Sequence, residues 1–152
     1  MTEIKTTATA PTLTLRRTFD APRARVYDAW TNPDVLKEWF GPPGFAIPSI
    51  AMNVVVGGAY TITMRAPDGE DYVVTGEFKT VRPPEHLSYS WLWAEMPPDP
   101  HVNTLVSIDF IDRGSQTEIV LTHEGFASAE SRDRHEAGWL GAFEGLEKLV
   151  AT

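Results

Sequence analysis

The stretch SAESRDRHEAGWLGAFEGLEKLV, residues 128–150, decides the fold. Its large apolar side chains Trp139, Phe143, Leu146 and Val150 recur at steps of four, three and four, which aligns them on one stripe of an α-helix. Ser128 stands at the capping position, and Glu or Arg takes most of the outward places. Gly138, Gly141 and Gly145 interrupt the helix, each costing ~1 kcal/mol of helix stability relative to Ala. Such residues are expected where the helix approaches strands or a ligand so closely that a side chain would not fit.

Working outward, Leu13 to Phe19 alternates and reads as a first strand. Asp20 occupies an N-cap place, Pro22 suits a first turn, and Val26, Tyr27 and Trp30 recur at helical spacing. Asn32 caps and Pro33 opens a second short helix reaching Trp39, with Val35, Leu36 and Trp39 as its apolar side. Strand patterns then fill Tyr60–Met64, Tyr72–Val81, Leu87–Trp93, Val102–Ile111 and Thr117–His123. Turns at Pro67-Asp68-Gly69, Arg82-Pro83-Pro84-Glu85 and Arg113-Gly114-Ser115 separate them, and Pro97-Pro98-Asp99-Pro100 makes a longer loop. Within one strand, Leu87, Tyr89, Trp91 and Trp93 share a face and Ser88 and Ser90 take the other. Only the 128–150 helix is long enough to cover such a sheet. The expected class is therefore α+β: a curved antiparallel sheet wrapped around a long C-terminal helix, with two short helices after strand one. Residues 1–11, rich in Thr and Ala, read as a flexible N-terminal segment, and 12–152 as a single domain.

Composition narrows the function. With 42% hydrophobic and 22% charged residues in a chain of 152, the sequence suits one globular domain. Lys and Arg number 13 against 21 Asp and Glu, so the net charge of -8 disfavours nucleic-acid binding. The absence of cysteine excludes disulfides, thiolate metal sites and a Cys nucleophile. No apolar run approaches the ~20 residues of a membrane helix, and a cytoplasmic location is expected.

Chemistry-bearing patterns are sparse. His86, His101, His123 and His135 show no metal-ligand spacing, and His86 and His101 fall in turns that face solvent. Asp109 and Glu118 alternate with apolar neighbours and read as solvent-facing. No nucleophile elbow or phosphate loop is present: Gly57-Gly58 leads into a strand, not a helix. Aromatic residues are the positive signal. Trp39-Phe40-Gly41-Pro42-Pro43-Gly44-Phe45 forces a sharp reversal and gathers Trp39, Phe40 and Phe45 at one apolar place. Trp91, Trp93 and Trp139 belong to elements around the same space. Such rings either fill a core or wall a cavity, and the three helix glycines weigh toward the cavity.

The pieces also carry a resemblance. Phe19-Asp20-Ala21-Pro22 followed by Val26 to Trp30, Trp39-Phe40-Gly41-Pro42, Gly57-Gly58-Ala59-Tyr60, Met64 to Gly69, Gly76-Glu77-Phe78, Pro83 to Leu87 running to Trp91, Thr117 to Phe126, and His135 with Gly138-Trp139 stand in order over residues 13–150. In these the chain resembles the activator of heat-shock-protein-90 ATPase homologue family of the START / birch-pollen-allergen-like (SRPBCC) superfamily. The resemblance implies a helix-grip fold with an interior cavity, in which members of the superfamily mostly hold lipids, polyketides or other apolar molecules. The family name comes from a co-chaperone, which makes a chaperone a second implied partner and stress response an implied setting. Where relatives commonly carry an Asp and an Arg before Gly57-Gly58, this chain has Asn53 and Val55, which would make a cavity at those positions more apolar.

The resulting expectation is a binding protein for a small apolar or aromatic molecule, with no cofactor, metal or catalytic residue. Trp39, Phe45, Met52, Met64, Tyr89, Trp91, Trp139 and Phe143 are the expected lining, with His135 orienting the ligand. Arg65, Asn53 and Tyr89 are the expected polar groups. A cyclase- or hydrolase-type enzyme using the same cavity and a chaperone-interacting module are the alternatives. Monomer and homodimer remain equally compatible with the sequence.

Overall fold

A computed structural model describes residues 11–94 and 103–150. The elements run β1 (Thr12–Phe19), α1 (Arg23–Thr31), α2 (Pro33–Leu36), β2 (Ala46–Met52), β3 (Ala59–Arg65), β4 (Asp71–Arg82), β5 (His86–Ala94), β6 (Thr104–Arg113), β7 (Gln116–Glu124) and α3 (Ala129–Val150). The strands make one sheet in the order β1-β7-β6-β5-β4-β3-β2, and each neighbouring pair is antiparallel. After β1 the chain crosses to the far edge through α1 and α2, then returns strand by strand until β7 pairs with β1. This is the α+β helix-grip architecture expected from the sequence.

The inner face of the sheet follows the period of two. Thr117, Ile119, Leu121 and His123 are buried at alternate places on β7, as are Val106, Ile108 and Phe110 on β6. Against them α3 lays Trp139, Ala142, Phe143, Leu146 and Val150, and α1 lays Val26, Tyr27, Ala29 and Trp30. Phe19, Trp30, Phe110 and Phe143 meet edge to face, with Phe143 5.6 Å from Phe19 and Trp30 5.6 Å from Phe110. Ser88 and Ser90, on the other face of β5, are buried as well. On the inner face the Tyr60 hydroxyl donates across β4 to the Ser90 carbonyl at 2.6 Å, passing Gly76, where a Cβ would overlap that carbonyl oxygen.

Some local expectations are corrected. Asp20 does not cap α1: the Ala21 N–H turns back to the Phe19 carbonyl at 3.0 Å, and Pro22 takes the capping position. The Pro22 carbonyl accepts from the N–H groups of Arg25 at 3.0 Å and Val26 at 3.2 Å, so backbone alone starts the helix. Asn32 does cap α2, its side chain accepting from the Asp34 N–H at 3.1 Å, but α2 ends at Leu36 and Trp39 sits in the turn beyond it. The edge strand β2 carries Pro48 and an irregular register between Ala46 and Ser49, which hides it from a pattern reading. The expected strand start at Val102, the loop Pro97–Pro100, His101 and all but the last residue of the 1–11 segment lie outside the described residues.

The glycines of α3 meet a turn, not strands. A Cβ at Gly141 would stand 2.5 Å from Pro43 Cδ, and one at Gly145 would stand 3.3 Å from the Trp39 carbonyl oxygen. At Gly138 the nearest outside atom is Pro42 Cγ, 4.0 Å away. The reversal through Gly41, with φ of 91°, presses residues 39–43 along the flank of α3. The two sequence features that stood out separately are thus one contact.

Candidate functional site: an aromatic cavity under the C-terminal helix

Between that turn, α3 and strands β3 to β5 lies a cavity of about 270 Å³. Its inner part is made by Phe40, Met64, Trp91, Trp139 and Ala142, all buried, while Phe45, Tyr72, Trp93 and His135 are half-buried and Arg134 is exposed. The placement is read from the elements. Met64 and Tyr72 face each other in the β3–β4 register, Trp91 and Trp93 are two apart on β5, and Arg134, Gly138 and Ala142 are four apart on α3. Trp91 stands 5.5 Å from both Trp93 and Trp139 and 6.0 Å from Phe40, so the wall is a continuous set of edge-on and tilted rings.

Two histidines hold this wall. The Trp139 indole N–H donates to His123 Nδ1 at 3.1 Å, which leaves the His123 proton on Nε2. Nε2 lies 2.8 Å from the Thr104 hydroxyl, which donates in turn to the Trp91 carbonyl at 3.0 Å. The Trp93 indole N–H donates to His135 Nε2 at 2.8 Å, and His135 Nδ1 donates to the Ser131 carbonyl at 2.8 Å. The imidazoles are 5.3 Å apart. Burial, with His135 beside it, drives His123 well below the ordinary histidine pKa and keeps it neutral. His135 borders the cavity with both nitrogens already engaged, so it steadies Trp93.

Of the residues expected to line the cavity, Phe45, Met64, Trp91, His135 and Trp139 are brought together there. Trp39, Met52, Tyr89 and Phe143 are not. Trp39 turns the other way from Phe40, its indole N–H donating to the Ala29 carbonyl at 2.9 Å and its ring 4.7 Å from Trp30. Phe143 fills the core between Phe19 and Trp30. Tyr89 shares the face of Trp91 but lies two residues along, under α1, where Trp30 donates to its hydroxyl at 3.3 Å. Met52 and Tyr89 border a separate crevice of about 20 Å³, room for one water.

The expected polar groups are also elsewhere. Arg65 makes a two-pronged pair with Asp71 at 2.8 and 3.1 Å, and Asn53 is exposed. Val55, likewise exposed, does not reach the cavity, so the neutral Asn53 and Val55 do not bear on its polarity. Sequence reasoning set Phe40 at an apolar place without counting it among the lining residues, and it passed over Tyr72, Arg134 and His123 as site residues. The alternation along β7 places His123 inward, and the Pro67-Asp68-Gly69 hairpin sets Tyr72 opposite Met64. Among the described residues no group of three or more His, Asp or Glu is placed to hold a metal, and no helix is long and apolar enough to cross a membrane.

A curved antiparallel sheet gripping one long helix over an aromatic cavity defines a helix-grip protein of the SRPBCC superfamily. The sequence pattern of the family described as Activator of Hsp90 ATPase homolog 1-like protein matches residues 20–151, and the chain belongs to that family. Protein CV1439 from Chromobacterium violaceum is similar at 24% identity and a TM-score of 0.83, over 93% of this chain and 99% of that one. The AHSA1 protein from Silicibacter pomeroyi is 24% identical with a TM-score of 0.81, over 93% and 98% of the two chains. CalU16 from Micromonospora echinospora is 23% identical with a TM-score of 0.70, over 93% and 76%. At these identities the likeness is one of fold. Among curated proteins none matches the chain.

Proposed function

We propose that this protein binds one small, flat, apolar or aromatic molecule in the cavity under α3, without a catalytic step. The observation that carries the reading is the wall itself: Phe40, Phe45, Trp91, Trp93 and Trp139 around about 270 Å³ of space. An engineered apolar cavity of about 150 Å³ holds one benzene, so this space suits a molecule of roughly two fused rings. Apolar walls with few polar groups are the usual build of small-molecule sites. Family membership favours the same reading and also a chaperone partner. The exposed large apolar side chains among the described residues are only Val55, Val56 and Leu140, which makes the cavity the better-supported site.

The test is native mass spectrometry of freshly purified protein beside the variant Gly138→Leu. That side chain enters the cavity from α3 with no outside atom closer than 4.0 Å to its Cβ. Extra mass that leaves on denaturation, present in wild type and missing in the variant, supports the proposal. Equal uptake of two-ring aromatics by wild type and the filled variant would refute it.

A further inference from the structure

The cavity passes from buried rings to an exposed charge. Phe40, Trp91 and Trp139 are buried in its inner part, and Arg134 bounds it with 43% of its side chain in solvent. Among the described lining residues Arg134 is the only one that is always charged, and none is Asp or Glu. That sign runs against the composition of the chain, in which 21 acidic residues face 13 basic ones. Arg134 stands four residues before Gly138 and eight before Ala142, which also line the cavity, so all three lie along one flank of α3. Over the cavity that flank is small, and Arg134 is the first long side chain on it toward the N-terminus of the helix. Glu130, one turn further, lies 3.7 Å from the Arg134 guanidinium and is 84% exposed, an ion pair of the kind that holds its members weakly.

We infer that the occupant of the cavity is an aromatic carboxylic acid, held with its rings inside and its carboxylate at the Arg134 guanidinium. This rests on the binding reading above and adds the charged end by which the site selects among flat apolar molecules. Burial fixes the orientation. Among the inner rings a carboxylate would lose its water and gain no cation, whereas beside Arg134 it stays partly hydrated and meets a fork of N–H donors that matches its two oxygens. The other polar rim groups are occupied with one another: the Trp93 indole N–H donates to His135 Nε2, and His135 Nδ1 donates to the Ser131 carbonyl. Arg134 therefore sets the sign, and an amine carried at the same end of the occupant would be repelled. One charged group placed beside apolar walls is a common way for a small-molecule site to orient its ligand.

Equilibrium dialysis of 2-naphthoate and of 2-naphthamide, a neutral counterpart of nearly the same shape, against wild type and Arg134→Gln separates the possibilities. The expected result is that Arg134→Gln weakens 2-naphthoate by about fivefold to tenfold, between the worth of an exposed ion pair and that of a charged hydrogen bond. Binding of 2-naphthamide should be unchanged, which also shows that the variant is folded. Added salt should weaken 2-naphthoate on wild type and leave 2-naphthamide alone. The comparison is repeated in a Glu130→Gln background, so that a Glu130 carboxylate left behind by the substitution is not mistaken for the missing guanidinium; the same loss is expected there. Equal weakening of both ligands, weakening of neither, or a loss that disappears with Glu130→Gln overturns the carboxylate inference while leaving the cavity as a binding site. Failure of both ligands to bind wild type overturns the binding reading and the inference with it.

Discussion

Replacing Gly138, Gly141 and Gly145 one at a time by Ala makes the same chemical change three times on one helix, with three different expected results. Each Ala adds ~1 kcal/mol of helix propensity. At Gly138 the new methyl stands 4.0 Å from Pro42 Cγ, an ordinary contact, so the gain is kept and stability rises by about 0.5–1 kcal/mol. At Gly141 it would stand 2.5 Å from Pro43 Cδ, whereas carbon atoms settle about 3.5–4.0 Å apart. The turn must move or the helix must lift, and overpacking of that kind costs about 1–3 kcal/mol. The net result is a loss of roughly 1 kcal/mol. At Gly145 the neighbour is the Trp39 carbonyl oxygen at 3.3 Å, and Trp39 is tied to the Ala29 carbonyl through its indole N–H at 2.9 Å. Crowding there offsets the propensity gain to within about 0.5 kcal/mol.

Urea and thermal denaturation read these differences directly. In a domain of this size 1 kcal/mol shifts Tm by roughly 2–4 °C. Gly138→Ala should therefore melt about that much higher than wild type and Gly141→Ala about that much lower. Should Gly141→Ala be as stable as Gly138→Ala, the contact between the Pro42-Pro43 turn and α3 is not what holds glycine there, and the account of the helix flank is wrong.

Gly76→Ala should destabilise by about 3 kcal/mol or more, because its Cβ has nowhere to go between the Ser90 carbonyl and the Tyr60 ring; a urea midpoint near that of wild type would refute this. Asn32→Ala should cost about 1 kcal/mol by removing the cap on α2, measured by the same titration. His123 sets a pH dependence. Its folded pKa is driven well below the ordinary histidine value of 6.5, so below that pH the unfolded chain binds the extra proton and stability falls as pH drops. The slope approaches about 1.4 kcal/mol per pH unit below the ordinary histidine pKa and fades above it. His123→Gln should start from a lower Tm and show a flatter decline over that window; identical slopes would refute the assignment. Asp71 and Glu118, held low by hydrogen bonds from Arg65 and from Arg113 with Arg16, respond only in more acid solution, below their ordinary pKa values of 3.8 and 4.5.

The grip of sheet on helix was legible because two periodicities carry it. The steps from Trp139 to Val150 admit only a helix face, and the alternation in β3 to β7 admits only strands with one face inward. The cavity was less legible because its boundary falls inside elements. Trp39 and Phe40 are adjacent and equally apolar, and only the turn that follows sends Phe40 to the cavity and Trp39 to α1. Tyr89 and Trp91 share one face of β5, yet one step of two residues carries the chain from beneath α1 to beneath the cavity. On α3 the core stripe through Trp139 and Phe143 was visible, while the flank through Arg134, Gly138 and Ala142 has no large apolar side chain to mark it. Asp20 misled because a cap needs one particular backbone position, and the bend at Ala21 moves it out of reach.

The glycines, expected to mark a close approach to strands or a ligand, mark a close approach to the turn instead, and this bears on where the cavity lies. At Gly145 the helix touches the backbone of Trp39, and beyond it Leu146 and Val150 are buried in the core. At Gly141 the Pro43 ring and the Pro42 Cα lie against the helix. Gly41 and Pro42 line the cavity on their other side, together with Gly138 and Ala142. The turn therefore stands beside the cavity as a spacer: the C-terminal end of α3 is buried in the core, while its N-terminal half meets β5 through His135 and Trp139. Large rings cannot close the cavity by sliding, because Trp139 and Trp93 are pinned to His123 and His135. A rigid spacer on one side and hydrogen-bonded indoles on the other keep open a space that close packing would otherwise fill.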